Sequence, residues 1–370
     1  MGNTNASPAY NLYDCMPSRE QTWLLHAAVS DGDNAIACWQ KWRDKVDLDA
    51  TDPASFRLLP LAYRNMADLG QDDALVKRLK GIYRHTWYKN QILYRQAEGI
   101  LAVFQQAKLP VLMLKGAALI KRFYNDDAIR FMDDIDLMVP QADYERAASL
   151  MLEQGWQPSL YSADVMFWYH RHQHKHGCAL KKNNVEIDLH SRLFRFVAQD
   201  DQALWDSSIK AQWRGYELHF LNDTEQLFHT CVHGMRWSYG YLSWIPDALT
   251  ILASDDTQID WQLLVEKARQ TRTLIYLYNA LAYLAEVFQA AIPSEVLSEL
   301  STLPVSWAER QEYKTLAREQ TGSPVQLVKR VLLQSSRSRA TSNGSDKPIA
   351  LSLTAWAKFL IIHAHLPGWR

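Results

Sequence analysis

Asp134 and Asp136 sit at alternate positions inside an apolar run, RFMDDIDLMV at residues 130–139, with Asp133 just ahead of them. The period of two of a strand puts Asp134, Asp136 and Met138 on one face and Ile135, Leu137 and Val139 on the other. Ionised carboxylates on a shared face repel each other and resist desolvation, so a fold that keeps them there places positive charge between them. A hard divalent cation meets that need, since Mg²⁺ takes oxygen ligands and bridges carboxylates to the phosphates of a substrate. The plainer alternative is an edge strand whose acids face water.

Two further stretches add to this chemistry. VEIDLH at residues 185–190 sets Glu186, Asp188 and His190 on one face by the same rule. KLPVLMLKG at residues 108–116 reads as a buried strand from Val111 that runs through Lys115-Gly116 into a helix. Such a turn offers backbone N–H groups to an anion, where Gly116 permits close approach and Lys115 adds a point charge. Arg130 supplies another cation, either for phosphate or for pairing with Asp133 or Asp134. A phosphate cradle beside three or more acids equips a protein for metal-assisted phosphoryl or nucleotidyl transfer, in which carboxylate-held cations neutralise charge on the phosphate.

The histidines allow a different chemistry. His170, His172, His174 and His176 alternate in YHRHQHKHG, and neutral imidazoles favour zinc, copper or nickel over magnesium. Their orientation depends on the following turn. A three-residue loop at Lys182–Asn184 sets His176 opposite His190 on the Asp188 face, whereas a two-residue loop at Asn183-Asn184 turns the row away. Of the four, His174 and His176 are the candidates to reach a substrate. His229 and His233 lie one helical turn apart, but HTCVH lacks the Glu of the metalloprotease motif. Asp247 in WIPDAL reads as a helix N-cap. Trp237, Tyr239, Tyr241 and Trp244 offer rings for stacking a base, with a core role as the default.

These residues need elements to position them. The chain has 370 residues, 48% apolar and 22% charged, with a net charge of -1, a composition that provides a core and no global attraction for nucleic acid or an anionic membrane. Cys15, Cys38, Cys178 and Cys231 show no C-x-x-C pairing, which argues against a zinc knuckle or disulfide framework and fits a cytoplasmic location. The N-terminus lacks the basic and apolar regions of a secretory signal, and Ala6 departs from a myristoylation motif. LTAWAKFLIIHAHL is too short to span a bilayer. Apolar residues at three and four spacing predict helices from about residue 18 to 107, and helices again follow Asn222 or Asp223 as cap. Between them lie short strands and helices, with QADYERAASLMLEQGW an amphipathic helix closed by Gly155 and YELHFL a strand. SSRSRATSNGSDKP reads as a loop.

Taken together, LLPLAYR, LMLKGAAL, RFMDDIDLMV and VEIDLH resemble the LKG, R-x-x-x-DIDLLV and EIDLH-like motifs of a bacterial nucleotidyltransferase family within the DNA polymerase β-type superfamily. The resemblance extends over residues 20–250 and is strongest over 110–192. It implies an α+β fold, a small mixed β-sheet core at 108–221 flanked by helical regions at 1–107 and 222–370. It also implies Mg²⁺-dependent transfer of a nucleoside monophosphate from a nucleoside triphosphate to an acceptor hydroxyl or phosphate, with two ions and Mn²⁺ as the alternative metal. The motifs leave the acceptor open. Gly116 matches the glycine of the phosphate turn, Asp134 and Asp136 match the paired metal ligands, and Asp188 matches the third carboxylate, ligand and base, with Glu186 its rival. Lys115 and Arg130 would hold phosphate, and His190, His174 and His176 are accessory candidates. The superfamily turn usually reads Gly-Ser, whereas Lys115-Gly116-Ala117 offers no hydroxyl, which supports an alternative: a catalytically degenerate member that binds nucleotide or a partner. Relief of like-charge repulsion is expected to leave an Asp136→Asn variant folded, or more stable.

Overall fold

The computed structural model describes residues 16–160, 162–164, 166–167, 176–194, 201–236 and 241–318. His170, His172, His174, Cys15, Trp237, Tyr239 and both terminal segments discussed above lie outside the described residues.

Helices open the chain: α1 (Arg19–Val29), α2 (Gly32–Arg43), α3 (Pro53–Phe56), α4 (Leu59–Asp68) and the long α5 (Ala74–Gln106). Their starts follow local chemistry. Ser18 and Gln21 form a reciprocal capping box on α1, and the carboxylates of Asp52 and Asp73 accept backbone N–H bonds at the starts of α3 and α5. The α/β segment follows with β1 (Leu112–Leu114), α6 (Lys115–Leu119) continuing as a π-helical turn (Ile120–Tyr124), β2 (Asp134–Met138), α7 (Tyr144–Glu153), β3 (Gln157–Pro158), β4 (Gly177–Lys182) and β5 (Val185–His190). Next come α8 (Asp201–Asp206), β6 (Ile209–Trp213), β7 (Tyr216–Phe220), α9 (Asp223–Arg236) and α10 (Trp244–Ala253). The last helices are α11 (Trp261–Thr271), α12 (Leu274–Phe288), α13 (Ser294–Thr302) and α14 (Trp307–Arg318). Asn222 caps α9, its side chain accepting from the N–H of Glu225. Strands β3 and β6 are absent from the sequence reading; β3 is two residues long and β6, IKAQW, is mostly exposed, so neither carries a buried apolar stripe.

The seven strands form one mixed sheet in the order β3-β4-β5-β2-β1-β7-β6, with β2 parallel to β5 and β1 parallel to β7. This is the expected α+β architecture. Period two divides the sheet between two cores. On one face Met113, Ile135, Leu137, Ile187 and Leu189 pack with Leu93, Ala97, Ile100 and Phe104 of α5 and with α7. On the other, Leu112, Leu114 and Met138 join a core built jointly by α1–α4 and the helices after residue 222. Each fully buried aliphatic side chain contributes about 2 kcal/mol. Ile135 and Leu137, 1% and 0% exposed, therefore offset the cost of the acids that alternate with them.

The described cysteines Cys38, Cys178 and Cys231 are free thiols and buried. No described helix is long and apolar enough to cross a membrane.

Candidate active site

The parallel pairing of β2 with β5 sets Asp134 beside Glu186, Asp136 beside Asp188 and Met138 beside His190. Because paired residues in a sheet face the same side, both acidic rows converge. Two sets of ligand atoms result, each within 4.8 Å of one another: Asp134, Glu186 and Asp188, and Asp136, Asp188 and His190. Asp188 belongs to both. The first set is all carboxylate oxygen, which suits a hard divalent cation, and the second replaces one oxygen with an imidazole nitrogen.

Protein donors already compensate part of this charge. Lys115 Nζ lies 2.6 Å from Asp136 Oδ1, and His190 Nε2 lies 2.9 Å from the same oxygen and 4.0 Å from Asp188 Oδ2. Lys115 reaches this position from a left-handed backbone, φ 49, a conformation costly for a residue with a Cβ and characteristic of functional sites. Burial opposes ionisation of Asp136, yet Lys115 and the hydrogen bond from His190 hold its carboxyl below the usual range. Burial likewise opposes charge on Lys115, and Asp136, Asp134 and Asp188 together keep its value above that of an ordinary lysine. Asp134 fares differently: burial, then the charge of Asp136, pushes it up to about 7. Electrostatic strain is concentrated on Asp134, while Asp136 is a stabilised anion. The expectation for Asp136→Asn is thereby corrected, because that substitution removes the partner of a buried ammonium. Glu186 accepts a hydrogen bond from the Ser159 hydroxyl at 2.7 Å.

A cleft of about 290 Å³ meets the acids from the side of Lys115 and Gly116. Its opposite wall is helical, with His229, Thr230, His233 and Gly234 from α9, and Ser243, Trp244 and Asp247 at and within α10. Gly234 is required there, since a Cβ would stand 2.2 Å from Trp244 Cγ. Arg130 also lines the cleft, but its guanidinium is committed. Nε and Nη2 each reach Asp247 at 2.9 Å, and Nη1 donates to the Phe131 carbonyl. Asp247 additionally accepts from the Tyr124 hydroxyl at 2.9 Å. Arg130 therefore pairs with neither Asp133 nor Asp134, and Asp247, 2% exposed, is a buried counterion rather than an N-cap. Ser243 occupies the cap position of α10. Asp133 pairs instead with Arg57, whose guanidinium lies 5.0 Å from the Phe131 ring and 4.8 Å from the Tyr241 ring.

The histidine question is answered by the turn. Asn183 and Asn184, φ 50 and 62, form a two-residue hairpin loop that pairs Lys182 with Val185 and Gly177 with His190. The three-residue register is thus not adopted. His176 nevertheless precedes β4 with its ring 5.2 Å from that of His190. Gly177 makes room for this approach, since a Cβ there would lie 2.5 Å from the Leu189 carbonyl oxygen. His229 and His233 have rings 5.1 Å apart. Burial and then Lys115 lower His229 to about 3, so it is a neutral imidazole at pH 7.

The structure brings together Lys115, Gly116, Asp134, Asp136, Glu186, Asp188, His190 and His176, places Arg130 on the cleft in a structural pair, and leaves His174 outside the described residues. The sequence reading missed Arg57, which immediately precedes LLPLAYR, and Ser243. Neither belongs to a periodic pattern or a charge cluster, so only the folded arrangement reveals them. Comparison with curated proteins finds no match. Comparison with family models finds one across residues 54–289, a span that begins after α2 and runs through α12. With that match covering well over half of its length, the chain belongs to the uncharacterised nucleotidyltransferase family.

Proposed function

We propose that the protein transfers a nucleoside monophosphate from a nucleoside triphosphate to an acceptor hydroxyl or phosphate in a divalent-metal-dependent reaction. The observation that carries this reading is the parallel β2/β5 register, which gathers Asp134, Asp136, Glu186 and Asp188 beside the Lys115-Gly116 turn. Mg²⁺, or Mn²⁺ in its place, would be held by Asp134, Asp136 and Asp188, and when bound supplies charge neutralisation at the transferring phosphate. Lys115 and the backbone at Gly116 bind the triphosphate. Asp188, with a side chain 26% exposed, takes the proton of the acceptor hydroxyl as its oxygen bonds to the α-phosphorus and pyrophosphate departs. Glu186 is the neighbouring carboxylate on the same face, oriented by Ser159. Arg130 positions: clamped on Asp247, it ties the approach to β2 onto α10.

One observation favours a second reading. Lys115 rests on Asp136 at 2.6 Å and Ala117 stands where the superfamily turn has a hydroxyl, so a protein ammonium offsets the acids as a cation would, as in a member that binds nucleotide without catalysis. Calorimetric titration with ATP, GTP, CTP and UTP, with and without Mg²⁺, tests the first reading on the wild type and on an Asp134→Asn/Asp136→Asn double variant. Mg²⁺-dependent binding that disappears in the variant supports it. Nucleotide binding that is indifferent to both metal and variant favours the second.

A further inference from the structure

Buried polar side chains almost always have hydrogen-bond partners, so orphaned ones that converge on a cleft point to a missing ligand. His229 and Ser243 are 2% and 5% exposed, and both line the cleft across from the phosphate turn. His229 Nε2 and Ser243 Oγ have no hydrogen-bond partner among the described residues, and neither does Arg57 Nε. Beside them Tyr241 is 46% exposed at the rim, stacked on the Arg57 guanidinium at 4.8 Å.

The cleft also has a direction. Lys115, Gly116, Asp134 and Asp136 line it, whereas Asp188 does not. It therefore approaches the acids from the side where a triphosphate would lie, and the acceptor must come to Asp188 from elsewhere.

We infer that this helical wall is the nucleoside subsite of the donor, with the base stacked on Tyr241 next to Arg57 and the ribose hydroxyls or base edge hydrogen-bonded by Ser243 and His229. The inference rests on the nucleotidyl-transfer reading. A ribose hydroxyl both donates and accepts, as do a serine hydroxyl and a neutral imidazole, so either orphan can be satisfied without a charge change. An aromatic ring beside a guanidinium suits the π-face of any base. Gly234 packed on Trp244 fixes the spacing of α9 and α10, so the wall is preformed.

The test compares full-length wild type with Tyr241→Ala, Tyr241→Phe and Ser243→Ala, each confirmed folded by thermal melting. The titrants are Mg²⁺ with the tightest-binding nucleoside triphosphate, and Mg²⁺ with inorganic triphosphate. Tyr241→Ala and Ser243→Ala should each weaken the nucleotide roughly fivefold or more, Tyr241→Phe should retain wild-type affinity, and inorganic triphosphate should bind all four proteins equally. Nucleotide affinity unchanged in Tyr241→Ala and Ser243→Ala, while Asp134→Asn/Asp136→Asn abolishes it, overturns this subsite and leaves the transfer reading standing. Equal losses for nucleotide and inorganic triphosphate also overturn it, because the wall would then act on the phosphate turn. No binding of either titrant to the wild type removes both.

Discussion

The two walls of the cleft solve opposite problems. The strand wall carries an excess of like charge and compensates it internally, with the Lys115 ammonium and a hydrogen bond from His190 both on one oxygen of Asp136. The helical wall carries almost no net charge but leaves His229 and Ser243 unsatisfied. Charge in a low-dielectric site is too costly to leave unpaired, so the strand wall has to be stable before any ligand arrives. An orphaned hydroxyl or neutral imidazole costs far less, and that wall can await its partner. The contrast separates a wall organised for charge from one organised for shape.

Four substitutions break or sharpen this contrast. The largest effect belongs to Asp136→Asn, expected to lower Mg²⁺-dependent nucleotide binding by at least about a hundredfold, since a charged ligand is lost. The same change costs about 3 kcal/mol of stability by uncovering Lys115, which urea titration reads directly. Next is Arg130→Gln, where removing one side of a pair with the 2%-exposed Asp247 costs about 3 kcal/mol and loosens α10 without touching the acids. Metal affinity preserved in this variant confirms that Arg130 belongs to the helical wall.

Gly234→Ala should be destabilising by about 2 kcal/mol in thermal melts, although alanine is intrinsically the better helix former by about 1 kcal/mol. The backbone there has no room for a methyl group against Trp244. A stable Gly234→Ala protein would show that the helical wall can shift.

The remaining effect has the opposite sign. Asp134 has a folded-state value of about 7 against 3.8 for an ordinary aspartate, so between those limits the folded protein holds the proton more tightly than the unfolded chain. Its contribution to stability is therefore present at low pH and is lost as pH rises from 3.8 through about 7. Asp134→Asn should be more stable than wild type at pH 8, with the gap closing near pH 4. Mg²⁺ affinity of the wild type should climb about tenfold per pH unit below 7 and level off above, as metal displaces that proton. Asp136 behaves inversely. Its depressed value gives stability that is present above pH 3.8 and fades as pH falls further.

Sequence and structure contributed unequally to the two walls. Alternation alone placed Asp134 with Asp136 and Glu186 with Asp188, because two residues apart on a strand means the same face in any fold. The strand–Lys115-Gly116–helix turn and the family membership were legible for the same local reason. The sign of the hairpin register was not, since Asn183-Asn184 accommodates either loop length until β4 and β5 bury their apolar residues. Nor could spacing assign the counterions: its sequence position leaves Arg130 open to phosphate or to Asp133 or Asp134, whereas its partner is Asp247, 117 residues away. Sequence by itself determined the rows of acids and the strand-to-helix turn at Lys115-Gly116, which follow from local pattern. Only the tertiary structure decided which cation neutralises which acid and which polar groups remain open in the cleft, because those are set by packing between α3, α9, α10 and the sheet, where chain separation carries no information.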